Sequence, residues 1–215
     1  MGRFFKLLCD FLLAIILSVL SLPFIFISLI LIFICSPTSP PVFIQERIGY
    51  KGKPFKIIKL RTMTNAKDEN GELLPDEKRL KWWGKIIRAT NIDELTQIWN
   101  ILAFQMSFIG PRPLLRKEML IMNEDEQKLR QSVRPGISGW EAVNEGKSST
   151  RRQMAEMDLF YVENWKFALD IKIFFKTILK VFTFNRPDDS VRAPKIENEI
   201  NINNFDGKET GDDHE

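Results

Sequence analysis

Residues 11–35 carry no charged side chain over 25 positions, and most of them are Leu, Ile, Phe, Val or Ala. About 20 such residues suffice to cross the hydrocarbon of a bilayer as a helix. In lipid the segment must be helical, because every backbone polar group there needs an internal partner. The run is too long for the core of a signal peptide and lacks a convincing small-residue cleavage site after it, so it is expected to be retained. Pro23 stands near its centre. Proline removes a backbone donor and crowds the preceding turn, which predicts a bend. Ser18 and Ser21 lie within the turn before it, where their hydroxyls can serve carbonyls freed by the bend. Arg3 and Lys6 precede the run, and Lys51, Lys53, Lys56, Lys59 and Arg61 follow it. Positive flanks favour the cytoplasmic side. With both flanks positive, two geometries fit: a helix that enters, bends at Pro23 and returns to the same face, or an ordinary kinked span.

The rest of the 215 residues fit one domain with accessories. Residues 185–215 hold four Lys/Arg against nine Asp/Glu, a charge of −5, so the remainder carries +8 within the total of +3. The acidic, Asn-rich tail has few apolar residues and is expected to be disordered. A basic body suits an anionic partner such as a membrane surface or a nucleotide. No nucleic-acid recognition module is visible, and none is expected. His214 is the only histidine, and Cys9 and Cys35 merely flank the apolar run. Ser-His and Cys-His catalysis and a His-rich zinc site are thereby set aside. Neither a P-loop nor a dinucleotide fingerprint occurs.

Two stretches, 42–47 and 54–61, are rich in Val, Ile and Phe and are separated by Gly49 and Gly52, which predicts a β-hairpin. Its second strand is basic through Lys56, Lys59 and Arg61, either a phosphate-facing edge or a solvated edge protected by lysines. Periodicity predicts a helix over 76–88, with Leu80, Trp83, Ile86 and Ile87 inward; Trp82 and Trp83 suit either a core or a membrane interface. A second helix is predicted over 92–104, capped by Thr90 or Asn91, with Ile92, Leu95, Ile98, Trp99 and Leu102 as its buried stripe. Over 164–184, Lys172, Lys176 and Lys180 recur every fourth residue beside Phe174, Phe175, Ile178, Leu179 and Phe182. That pattern fits a helix lying in the membrane interface, or a surface helix packed on the core.

The chemistry centres on Asp93-Glu94 at the start of the 92–104 segment and on Gly110-Pro111-Arg112-Pro113. Neighbouring helical side chains diverge by about 100°, so the two acids need not share one task. A carboxylate can attack phosphorus, and another can ligate Mg²⁺ together with substrate phosphates. Arg112, between two prolines, suits a fixed guanidinium for phosphate. Taken alone, an acidic pair at a helix start is more often a cap.

An ordered set of motifs shifts that balance. Lys6 and Asp10 precede the apolar run, and Pro23 lies within it. Val42-Phe43-Ile44-Gln45-Glu46-Arg47-Ile48-Gly49 is followed by Phe55-Lys56-Ile57-Ile58-Lys59-Leu60-Arg61-Thr62-Met63 and Ile92-Asp93-Glu94-Leu95. Then come Met106-Ser107-Phe108-Ile109-Gly110-Pro111-Arg112-Pro113, Arg134-Pro135-Gly136-Ile137-Ser138-Gly139-Trp140, Asp158 with Tyr161-Val162-Glu163-Asn164, and Leu169-Asp170-Ile171-Lys172. In these the chain resembles the bacterial sugar transferases, specifically the small monotopic phosphoglycosyl transferases that move a phosphosugar from a UDP-sugar to polyprenyl phosphate. The resemblance implies an α+β, mainly helical fold: a re-entrant membrane helix bent at Pro23 beside Ser21 (residues 1–36), then a membrane-associated catalytic domain with a small β-hairpin and interfacial amphipathic helices on the cytoplasmic face (37–184), ahead of the acidic tail. It implies Asp93 as nucleophile, Glu94 as Mg²⁺ ligand and Arg112 as phosphate binder, with Lys59, Arg61 and Arg88 as further basic positions near the site. The implied partners are a UDP-sugar, polyprenyl (undecaprenyl) phosphate and the phospholipid membrane; self-association is left open. The larger family members carry an additional multi-span region ahead of this unit, and none is expected here. The chain departs from the family pattern at Leu22-Pro23, where Ser-Pro is usual, at Phe104-Gln105, and at Glu141-Ala142-Val143-Asn144-Glu145-Gly146, where the family often has Ala-Gln-Val-Asn-Gly-Arg. Two other readings compete: a non-catalytic membrane scaffold, and an enzyme that transfers the sugar without its phosphate and releases UDP.

Overall fold

The computed structural model describes residues 2–144 and 150–182; the acidic tail and the end of the Glu141-to-Gly146 departure lie outside the described residues. The apolar run forms one helix, α1 (Gly2–Cys35), with Pro23 inside it. At 1.5 Å per residue it is about 51 Å long, well beyond the hydrocarbon thickness of about 30 Å. Proline leaves the Val19 carbonyl without its helical donor. The serine hydroxyls do not serve that carbonyl: Ser21 Oγ donates to the Ser18 carbonyl at 3.0 Å, and Ser18 Oγ to the Ile15 carbonyl at 2.7 Å.

One stripe of α1 is buried, comprising Ala14, Ser21, Ile25, Ser28 and Ile32. The spacings of seven, four, three and four residues keep these positions on one helical face. Ala14 packs against Phe55, Ile57, Ile98, Ile101 and Met106, while Ile25 and Ile32 pack against Leu60, Trp83 and Ile87. The other faces display Leu12, Ile16, Val19, Leu20, Phe24, Phe26, Phe33 and Ile34. The helix therefore lies lengthwise on the domain, touching it over about 27 Å between Ala14 and Ile32. Its N-terminal end is tied down by polar contacts. Lys6 Nζ pairs with Asp170 at 3.0 Å, and Ser107 Oγ donates to Asp10 at 2.7 Å.

Strands β1 (Val42–Ile48) and β2 (Pro54–Leu60) form the expected antiparallel hairpin, with Val42 opposite Leu60 and Ile48 opposite Pro54. The predicted 76–88 helix is two pieces, α2 (Asp76–Arg79) and α3 (Trp82–Ala89), separated at Leu80 and Lys81. Trp83 is core, whereas Trp82 and Ile86 are exposed. The predicted 92–104 helix is a 3₁₀ segment, Ile92–Gln97, continued by α4 (Ile98–Leu102). Neither expected cap operates. Asn91 is left-handed (φ 57°) with no capping bond from its side chain, and Thr90 Oγ1 bonds the Ile86 and Ile87 carbonyls of the preceding helix. Trp99 faces out, while Thr96, Gln97 and Asn100 are buried. The reason is the second edge of β2. Thr96 Oγ1 donates to the Ile58 carbonyl at 2.8 Å, Asn100 Nδ2 donates to the Lys56 carbonyl at 2.8 Å, and the Ile58 N–H donates to Asn100 Oδ1 at 3.4 Å. Polar side chains turn inward because a strand edge requires partners.

Two short parallel strands, β3 (Ser107–Ile109) and β4 (Gly136–Ser138), bring the Gly110 corner against residues 134–139. A Cβ on Gly136 would collide with the Gly110 backbone, and one on Gly110 with the Arg134 carbonyl, so glycine permits this approach. The remaining helices are α5 (Glu124–Arg130), α6 (Trp140–Asn144), α7 (Arg151–Glu163) and α8 (Phe167–Phe182). In α8 the lysine row faces inward onto α6: Lys172 and Lys176 lie over the Trp140 ring, and Lys180 Nζ donates to the Ala142 carbonyl. Ile171, Phe174, Phe175 and Leu179 face out.

Glu118 cross-links distant segments by accepting the Leu115 N–H and pairing with Arg151 at 2.9 Å and Arg47 at 3.2 Å. Burial alone would raise its pKa, but the Leu115 N–H and the Arg151 and Arg47 guanidiniums outweigh burial and hold the carboxyl below its ordinary 4.5. A carboxyl depressed in the folded state contributes stability above its unfolded pKa and loses it as pH falls through the lower folded value. Glu118→Gln is therefore expected to lower stability at neutral pH by about 1–3 kcal/mol and to flatten the acid limb below pH 4.5. Denaturant titrations across pH check this, and identical acid limbs for the two proteins would refute it.

Candidate active site

Beside the 3₁₀ segment lies a cavity of about 230 Å³. Its wall combines Glu94 and Leu95, Arg112 after β3, Ser138 and Glu141 around β4 and α6, and Thr177 and Lys180 of α8. Leu17 of α1 completes it, so the long apolar helix itself forms part of the wall. Glu94 and Arg112, 18 positions apart in the chain, thus face one space.

The two acids occupy different environments. Asp93 is buried at 7 % exposure. Glu94 is half-buried at the cavity, and its Oε1 pairs with Lys59 Nζ at 3.1 Å. The 3₁₀ geometry turns successive side chains by about 120°, wider than the helical 100° expected from sequence. Lys59 thus joins the site through Glu94. Arg88 stands at the end of α3, next to Ala89 in the cavity wall, with its Nε donating to Thr62 Oγ1 at 2.9 Å. Arg61 is not brought to the cavity. Its Nε donates to the Pro40 carbonyl at 2.5 Å, its Nη1 to Asn65 at 2.6 Å, and it lies over the Phe43 ring. Ser21 and Pro23 also lie outside the lining, further along α1 than Leu17.

The Pro-Arg-Pro corner is held carbonyl by carbonyl. The Gly136 N–H donates to Pro111 O at 2.9 Å, Arg130 Nη2 to Arg112 O, and Arg47 Nη1 to Pro113 O at 3.3 Å. Both prolines are buried while the Arg112 side chain is exposed. A fixed backbone with an outward guanidinium suits recognition of phosphate oxygens. Arg130 is itself fixed by Asp158, through Nε at 3.0 Å and Nη2 at 2.6 Å, with both residues almost wholly buried.

A divalent cation fits this donor set in one form. Among the described residues no group of three or more His, Cys, Asp or Glu could cage a metal. Mg²⁺ commonly takes only one or two protein carboxylates and fills its octahedron with water and substrate phosphates. Glu94, with a hard oxygen donor at the cavity, provides such a carboxylate.

The family described as bacterial sugar transferase matches residues 1–184. The chain belongs to that family. It is similar to the uncharacterized sugar transferase EpsL of Bacillus subtilis, at 46% identity over 143 residues, covering 66% of this chain and 70% of that protein. A UDP-N-acetylgalactosamine-undecaprenyl-phosphate N-acetylgalactosaminephosphotransferase of Aeromonas hydrophila is 35% identical over 190 residues, 84% of this chain and 44% of that protein. A UDP-glucose:undecaprenyl-phosphate glucose-1-phosphate transferase of Caulobacter vibrioides is 32% identical over 187 residues, 83% of this chain and 70% of that protein. The chain thus spans most of some curated relatives and less than half of others.

Four wall residues carried no functional signal in the sequence. Glu141, buried at 4 % exposure, lies in the segment that departs from the family pattern. Leu17, Thr177 and Lys180 belong to helices whose periodicity says nothing of a shared cavity. The corner's two arginines should separate cleanly in stability. Arg130→Leu removes the ion-pair partner of buried Asp158 and is expected to cost about 3–5 kcal/mol. Arg112→Ala removes an exposed side chain and should stay within about 0.5 kcal/mol of the parent. Denaturant unfolding of both variants measures this, and equal losses would contradict the division of roles.

Proposed function

We propose that this protein transfers a sugar-1-phosphate from a UDP-sugar to polyprenyl phosphate and releases UMP, the first step in assembling a lipid-linked glycoconjugate. One observation carries the reading: Glu94, Arg112 and Leu17 of the membrane helix line the same cavity. A phosphate-directed guanidinium and a carboxylate thereby meet at the edge of a lipid-facing element. The curated relatives named as UDP-sugar or undecaprenyl-phosphate transferases support the same substrates.

In the first step an Asp93 carboxylate oxygen forms a bond to the sugar-bearing phosphorus. The bond from that phosphorus to the bridging oxygen breaks, and UMP leaves with the electron pair. In the second step a phosphate oxygen of the polyprenyl phosphate attacks the acyl phosphate and regenerates the Asp93 carboxylate. One diphosphate is broken and another made, so the net driving force is small. Arg112 offsets charge on the phosphates. Glu94 would hold Mg²⁺, which supplies Lewis-acid neutralisation of phosphate oxygens when bound. Lys59, paired with Glu94 at 3.1 Å, orients that acid.

Purified protein given Mg²⁺, a panel of UDP-sugars and polyprenyl phosphate is expected to release UMP and not UDP. Asp93→Ala is expected to abolish release, and Arg112→Ala to reduce it by about 10²–10³-fold. UMP release unchanged in Asp93→Ala would sink the nucleophile assignment, and UDP as product would favour the sugar-only transferase.

The same reading places the domain on the cytoplasmic face of the bacterial inner membrane with α1 re-entrant. Lengthwise packing supports this, since a helix crossing the bilayer would carry the attached flank of the domain through hydrocarbon. Outward-facing Trp82, Ile86, Phe174, Phe175 and Leu179 suit burial at the interface. Labels at the N-terminus and on the catalytic domain should both react from the cytoplasmic side only. An N-terminus reached only from the opposite side would refute the re-entrant placement.

A further inference from the structure

A second cavity, of about 130 Å³, shares no lining residue with the first. Ile109 of β3 lines it, whereas the next residue, Gly110, lines the catalytic candidate. Its wall includes Arg3, Lys6 and Asp10 of α1, Tyr50 of the hairpin turn, Arg134 before β4, and Trp165 before α8. Three cations and one carboxylate thus face a small space.

The cations are not equivalent. Lys6 pairs with Asp170 at 3.0 Å and Asp10 at 3.7 Å. Arg3 and Arg134 pair with no carboxylate among the described residues and lie instead against aromatic rings. The Arg3 guanidinium is 5.8 Å from the Trp165 centroid, and that of Arg134 is 5.2 Å from the Tyr50 centroid. Arg134 directs only its Nε inward, to the Phe104 carbonyl at 2.7 Å. Stacking orients a guanidinium without neutralising it and leaves its terminal N–H groups for an outside acceptor. Two such forks, one on the membrane helix and one on the domain, converge on one cavity, an arrangement suited to a phosphate. Next to Arg3 on α1, Phe4, Phe5 and Leu8 are exposed at 73, 52 and 45 %. Apolar surface for acyl chains therefore begins beside the cationic cavity.

We infer that this cavity binds the headgroup phosphate of an anionic glycerophospholipid, held between Arg3 and Arg134, with the acyl chains along Phe4, Phe5 and Leu8. The bound lipid bridges α1 to the domain and sets the depth of the helix's N-terminal end. The inference rests on membrane association and not on the transferase chemistry, so the product assay can fail while this site stands, and the reverse.

The test is native mass spectrometry of the full chain in neutral detergent, titrated separately with dihexanoyl phosphatidylglycerol, dihexanoyl phosphatidylcholine and inorganic phosphate. Phosphatidylglycerol is expected to bind one per chain and more tightly than either alternative. Arg3→Gln is the cleaner variant, because among the described residues Arg3 makes no hydrogen bond or ion pair and lies against the Trp165 ring. It and Arg134→Gln are each expected to weaken binding about tenfold, as for loss of one charge-assisted contact. The double substitution Lys81→Gln/Lys85→Gln, on exposed lysines outside the cavity, should leave binding unchanged. The proposal is overturned if Arg3→Gln binds as the parent does, or if the lysine control loses as much. Phosphatidylcholine or inorganic phosphate binding as tightly as phosphatidylglycerol also overturns it, by showing a site that reads any lipid or any phosphate.

Discussion

The architecture depends on a single helix that packs on the domain along one stripe and keeps bulky apolar side chains on its other faces. The outward faces of α1 are bulky and apolar, whereas the inward stripe alternates Ile with Ala and Ser. Small residues let a neighbouring backbone come close, and the Ser21 hydroxyl finds its partner within the helix itself. The hairpin, α3 and α4 take their places against that stripe, and two hydrophobic clusters of the domain grow from it. Were the stripe as bulky as the other faces, the domain could attach only at one end of the helix.

The second organising element is the edge of β2. A two-stranded sheet leaves its outer N–H and C=O groups wanting partners. Thr96 and Asn100 supply them, and that requirement turns the polar side of residues 92–102 inward. Asp93 is carried into the interior with this polar side, while Glu94 is left at the cavity. The division of labour proposed for the two acids has its structural origin in a strand that lacks a third neighbour.

Much of this was legible in the sequence. The uncharged run, the hairpin with its glycines and the rigid Pro-Arg-Pro corner each rest on local rules about charge, turn geometry and proline. What local pattern could not resolve was direction. Trp82 and Trp83 are adjacent, yet one is exposed and the other is core, because only one meets Leu60 and Ile32. Trp99 fitted an apolar stripe and faces out, since the opposite side of its helix must serve β2. The lysine row of α8 fitted either a helix in the membrane interface or one packed on the core, and it covers Trp140 and the Ala142 carbonyl of α6. In the cavity wall Glu94 and Arg112 could be named in advance, whereas Asp93 and Lys59 lie outside the lining, Lys59 meeting it through Glu94. Arg61 was grouped with them by the family resemblance, but its guanidinium holds the segment after α1. Leu17, Thr177, Lys180 and Glu141 join the wall only through long-range packing, which leaves no trace in periodicity.

Leu17 gives one wall of the cavity a peculiar status. Behind Leu17 stand Ile16 and Leu20, which face outward. With that helix in a bilayer, as proposed, lateral pressure from the acyl chains would be part of the mechanical support of the site. A detergent micelle, which packs more loosely and curves away, supports that wall differently. Activity in micelles and activity in a bilayer are accordingly properties of two differently braced sites, even with every protein bond intact.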